Sequence, residues 1–135
     1  MRMLKIVRLI LLIFFVASTG LHAIALAGGI PPEMLWGGRM QTHQELIVAE
    51  ILSLLLNAFF VFIMICDLRF GRFMLSRRFI RVVLWFMFAL FVLNTLGNLA
   101  AADDRERMIF TPITGLIASM ILWRLLSREG RAADY

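Results

Sequence analysis

The chain is predicted to be all-α: a polytopic membrane protein whose four transmembrane helices form an antiparallel bundle with both termini on the cytoplasmic side. Three observations predict this. First, 61% of the 135 residues are hydrophobic and only 17% are charged, with a mean hydropathy of +0.88; soluble domains are nearer one half apolar. Second, four apolar stretches, residues 6–27, 46–66, 82–102 and 109–126, are each long enough to cross about 30 Å of hydrocarbon at about 1.5 Å per residue. Third, eleven of the fourteen Lys and Arg residues fall in three of the five segments beside those stretches. Arg2, Lys5 and Arg8 lie before or at the start of the first, Arg69, Arg72, Arg77, Arg78 and Arg81 lie between the second and third, and Arg124, Arg128 and Arg131 lie at or beyond the end of the fourth. By the positive-inside rule these three segments face the cytoplasm.

No stretch alternates with period two, as a barrel strand would, and a helix satisfies its own backbone inside lipid. Residues 1–135 therefore form one transmembrane domain with helices at about 5–27, 46–68, 79–102 and 109–126. The first helix has a basic start, and Ala25-Leu26-Ala27 has the small-residue form of a signal cleavage site. Its apolar run exceeds the usual 7–15 residues of a signal core, which favours a retained helix. The outer loop 28–45 holds Gly28-Gly29, Pro31-Pro32 and Trp36-Gly37-Gly38-Arg39. It turns sharply, either as a plain connector or as a lid in which Trp36 and Arg39 are the candidate residues.

The cytoplasmic loop 69–78 is basic and attracts anionic head groups at about 1 kcal/mol per residue, although topology alone explains its arginines. The outer loop 103–108 is short enough to make the third and fourth helices antiparallel neighbours. Thr111 and Pro112 suit the first turn of the fourth helix, where a missing amide donor costs little. Thr111, Gly115 and Ser119, with Ala118 beside them, form a small-residue stripe suited to close packing. Trp85 and Trp123 fall near the cytoplasmic ends of their helices, where amphipathic rings favour the interface.

A formal charge of +5 raises nucleic acid as a partner. The basic residues flank spans and form no patch with interleaved aromatics, so the lipid bilayer is the expected partner and nucleic acid is not. Cys66 is the lone cysteine and makes no internal disulfide.

Polar residues inside the spans gather in their outer halves: Ser18, Thr19 and His22; Glu50, Ser53 and Asn57; Asn94, Thr95 and Asn98; Thr111 and Thr114. Spacings of three and four put Ser18 with His22, Glu50 with Ser53 and Asn57, and Asn94 with Asn98, each on one helix face. Lipid cannot satisfy them, and a carboxylate at depth costs about 2.5–3.5 kcal/mol even on the lenient insertion scale. They are therefore expected to line one outer recess that binds a small solute or a lipid head group, in a carrier, sensor or accessory subunit. His22 and Glu50 also suit acid and base chemistry on a lipid-like substrate, because burial raises a carboxyl's pKa and histidine titrates near neutrality. A third reading is a structural partner, in a homo-oligomer or with another membrane protein, whose polar stripes only hold helices together. The charge asymmetry argues against a proton-coupled exporter built from oppositely inserted copies. His22, His43, Glu45 and Glu50 are too few and too irregular for zinc, and no motif implies a cofactor.

Two pieces resemble an uncharacterised family of small bacterial four-helix integral membrane proteins of unassigned function. One is His22 followed by Ala27-Gly28-Gly29; the other is Leu93-Asn94-Thr95-Leu96-Gly97-Asn98 with Thr111-Pro112-Ile113-Thr114. The likeness covers most of the chain and implies the same four spans and short loops, with no activity to carry across.

Overall fold

Four α-helices account for nearly all of the residues that the computed structural model describes, 2–30, 42–68, 75–101 and 104–127. They are α1 (Arg2–Leu26), α2 (His43–Leu68), α3 (Arg77–Leu99) and α4 (Asp104–Leu126), with no strand among the described residues. All four are long and apolar enough to cross a membrane. The lid candidates Trp36 and Arg39 lie outside the described residues.

Local chemistry sets the helix ends. α1 stops in a Schellman turn: the Gly28 N–H donates to the Ala25 carbonyl and the Gly29 N–H to the Ile24 carbonyl, both at 2.9 Å. Gly28 takes φ +80° there, a left-handed conformation that favours a residue without Cβ. α2 starts at His43, three residues before the apolar stretch, because Thr42-His43-Gln44-Glu45 is a capping box. The Glu45 N–H donates to Thr42 Oγ1 and the Thr42 N–H to Glu45 Oε2, each at 3.2 Å. Ser76 caps α3 by accepting from the Phe79 N–H at 3.1 Å.

α4 differs most from expectation. It begins at Asp104 rather than near residue 109, and Pro112 lies inside it rather than in its first turn. The charged run 104–107 is helical because an acidic first residue complements the positive end of the helix, and Arg107 Nη2 donates to Asp104 Oδ1 at 2.5 Å, one turn away. Proline has no N–H for the carbonyl of Met108. The Thr114 hydroxyl adds a bond to the Phe110 carbonyl at 2.8 Å, the kind of side-chain compensation that lets proline persist in spanning helices.

α1 packs chiefly on α2 and α3 chiefly on α4, with thinner α1–α4 and α2–α3 seams. Two hairpins thus make up the bundle. We call the end where Arg8, Asp67 and Arg124 meet the basal end, and the end where His22 and Glu50 meet the apical end. The basal half is built on an apolar core that includes Leu11, Ile63, Met64, Leu84, Met87, Ile121 and Leu125. At its top Phe15 of α1 sets its ring edge-on to Phe60 of α2 at 5.3 Å and to Phe91 of α3 at 5.7 Å. Such edge-to-face pairs add about 0.5–1.5 kcal/mol each beyond the area they bury. Apical to these rings the buried residues include Glu50, Asn98 and Thr114, so buried polar groups lie on both sides of the apolar core.

Candidate functional site: buried ionisable groups at the two ends of the first hairpin

His22 lies one turn before the end of α1, and Glu50 lies seven residues, about 10 Å, into α2. The early start of α2 thus sets Glu50 deeper in its helix than the 6 Å or so that an apolar stretch beginning at 46 implies. His22 Nδ1 and Glu50 Oε2 are 2.7 Å apart. The Glu50 side chain is 1% exposed and that of His22 is 17% exposed. Imidazole N–H to carboxylate, or carboxyl O–H to neutral imidazole, both make this bond; the tautomer and proton position decide which. On the same face of α2, Asn57 Nδ2 donates to the Ser53 carbonyl at 2.8 Å, and both residues are half-buried. On α1 the Thr19 hydroxyl donates to the Phe15 carbonyl at 2.7 Å.

The polar residues of the second hairpin meet one another. Thr95 Oγ1 is 3.0 Å from Thr114 Oγ1, and Asn98 Nδ2 donates to the same oxygen at 3.5 Å. Thr111 is half-buried, and its buried hydroxyl has no hydrogen-bond partner. Asn94 is the exception to the expected face: it is exposed, whereas Asn98, one turn on, is buried. α3 turns mainly toward α4, and Thr95, 100° round the helix from Asn94, takes the facing position. Counted along the helices from the basal cluster, Glu50 stands about 25 Å from Asp67 and His22 about 21 Å from Arg8, whereas Thr114 stands about 15 Å from Arg124. Hydrogen bonds thus join His22 to Glu50 and join Thr95 and Asn98 to Thr114, while Asn94 is exposed.

The small-residue stripe faces α3. A Cβ on Gly115 would meet the Thr95 methyl at 3.6 Å, an ordinary contact. Beside it Phe88, Val92, Leu96 and Leu122 border an open apolar hollow of about 240 Å³.

At the basal end three helices meet on one carboxylate. Arg124 Nε and Nη2 donate to Asp67 Oδ2 and Oδ1 at 2.8 and 2.6 Å, a bidentate fork. Arg8 Nε lies 3.0 Å from Oδ2. The side chains are 2% exposed for Asp67, 9% for Arg124 and 10% for Arg8. In the sequence Arg8 and Arg124 serve only to orient helices, and Asp67 sits at the edge of a basic loop. The signal that finds the cluster is the stripe on which each lies: Leu4, Arg8, Leu11 and Phe15; Phe60, Ile63, Met64 and Asp67; Ile117, Ile121 and Arg124, all buried. A charge in register with core residues must meet an opposite charge inside.

Chemically, the apical pair supplies a proton donor and acceptor and a carboxylate for a bound donor group. The basal cluster supplies a fixed ionic tie. Among the described residues no group of three or more His, Cys, Asp or Glu is placed to hold a metal ion. Family models, curated proteins and solved structures gave no match to this chain.

Proposed function

We propose that this is a multi-pass protein of a bacterial inner membrane, with both termini cytoplasmic and helices alternating in direction, whose apical end faces outward and binds a small solute or a lipid head group. The clustering of Lys and Arg in the basal segments supports that orientation. The observation that carries the binding role is the buried Glu50 carboxyl hydrogen-bonded to His22 across two spanning helices. An ionisable pair in hydrocarbon marks a ligand or ion site more often than a packing device, because leucine would fill the space without a desolvation cost. Thr95, Asn98 and Thr114 act as interhelical glue within the second hairpin. Screening purified protein in nanodiscs against polar solutes and lipid head groups tests this. At least one compound should stabilise the wild type thermally and fail to stabilise Glu50→Gln; a broad library without any Glu50-dependent stabilisation contradicts it.

A second reading, a membrane-embedded acid/base enzyme, draws on the same 2.7 Å contact, since hydrogen-bond reach is the geometric requirement for a shared proton. It calls for products to appear when a lipid extract is incubated with wild type and for none with Glu50→Gln.

A further inference from the structure

We propose that Ser18, Asn57 and Asn94 line a mid-membrane hollow, separate from the His22–Glu50 contact, that binds an uncharged solute carrying both hydrogen-bond donors and acceptors, such as a carboxamide. Three helix faces carry the argument. Residues seven apart are two turns apart and share a face. On α1 such a set is Leu11, Ser18 and Ala25, on α2 it is Met64, Asn57 and Glu50, and on α3 it is Met87, Asn94 and Ala101. In every set the two outer members are buried, while the middle one is half-buried in Ser18 and Asn57 and exposed in Asn94. Each face is closed, open and closed again, and the residue at the opening is polar.

The openings share one level. Phe15 sets its ring against those of Phe60 and Phe91, and Ser18, Asn57 and Asn94 each lie three residues, about 4.5 Å, apical to one of the three. Ser18 and Asn57 also stand ten residues, about 15 Å, from Arg8 and Asp67, which is half of a hydrocarbon core of about 30 Å. Their hydrogen-bonding capacity is largely unused. Among the described residues Ser18 and Asn94 make no hydrogen bond, and Asn57 uses only Nδ2, on the Ser53 carbonyl. Hydrocarbon offers these groups nothing, so a polar occupant gains bonds that lipid cannot give. Two carboxamides and a hydroxyl present donors and acceptors without charge. An ion would shed its hydration there without a counter-charge, whereas an uncharged amide would exchange its bonds to water for bonds to the asparagines.

Thiol labelling in phosphatidylcholine nanodiscs tests both the hollow and its ligand, because alkylation needs a thiolate and therefore water. Iodoacetamide should modify Ser18→Cys and Asn94→Cys, one on each hairpin, at least tenfold faster than Leu93→Cys, an exposed position one residue away; the wild type, whose Cys66 is buried, gives the background. Acetamide should slow both reactions at least threefold, and acetate or ethylammonium at equal concentration should not. Asn57→Leu should remove the acetamide effect and Glu50→Gln should retain it. Labelling of both thiols no faster than that of Leu93→Cys overturns the hollow. Equal protection by acetate or ethylammonium overturns the uncharged ligand, as does full protection by acetamide in Asn57→Leu. Protection lost in Glu50→Gln moves the solute to the apical pair, against the site proposed here and in favour of the binding reading above.

Discussion

The two ends of the α1–α2 hairpin each bury one carboxylate of α2 against a basic side chain of α1, and they solve the same problem in opposite ways. At the basal end Asp67 meets two guanidinium groups, with both oxygens engaged by Arg124. At the apical end the Glu50 carboxyl lies 2.7 Å from the His22 imidazole. Arginine stays charged at any pH a protein survives, so removing Asp67 takes a buried counter-charge from two groups that cannot neutralise themselves. A carboxyl and an imidazole can each gain or lose a proton, so separating them leaves groups that adjust. The lesson is that burial alone does not make an ion pair a lock. What decides is whether its members can become neutral when parted.

The contrast breaks first at Asp67. Asp67→Asn should destabilise the bundle by about 3–5 kcal/mol, read as reversible unfolding in mixed micelles, while Glu50→Gln should stay within about 1 kcal/mol of wild type because glutamine still hydrogen-bonds His22. Comparable losses from the two substitutions would erase the distinction between the ends.

A smaller effect sharpens the comparison between the two hairpins. Asn98→Leu should cost about 0.6–1.7 kcal/mol by removing the bond to Thr114, and Asn94→Leu should be neutral, since Asn94 is exposed. A loss from Asn94→Leu as large as that from Asn98→Leu would mean that Asn94 has a partner of its own.

Smallest of all, Thr42→Ala should cost about 0.5–1 kcal/mol by removing the cap of α2. Hydrogen exchange should then rise in the first turn of α2 and stay unchanged at Glu50. Faster exchange reaching Glu50 would show that the capping box also holds the apical pair in place.

The spans were legible because membrane insertion reads average hydropathy over some twenty residues, and that average survives any detail of packing. Their ends were less so. The capping box at Thr42 and Glu45 extends α2 with polar residues, which hydropathy counts as loop, and the helical charged run 104–107 extends α4 past Pro112 in the same way. His22 and Glu50 stood out as candidates because each is a rare ionisable residue in an apolar run, and the structure brings the two into contact. Which partners they choose was not, since four helices with polar outer halves can satisfy those groups in one chamber or hairpin by hairpin. The basal cluster hid behind the topology signal: Arg8 and Arg124 look like other flanking arginines until their register with Leu11, Phe15 and Ile121 is traced.

Paired double-mutant cycles measure the difference between the ends most directly, one over His22 and Glu50 and one over Arg124 and Asp67, with stability read in the same nanodiscs. The expected coupling is about 1 kcal/mol or less for the apical pair and at least about 2 kcal/mol for the basal pair. An apical coupling equal to or larger than the basal one would contradict an exchangeable His22–Glu50 contact and make it a second structural tie.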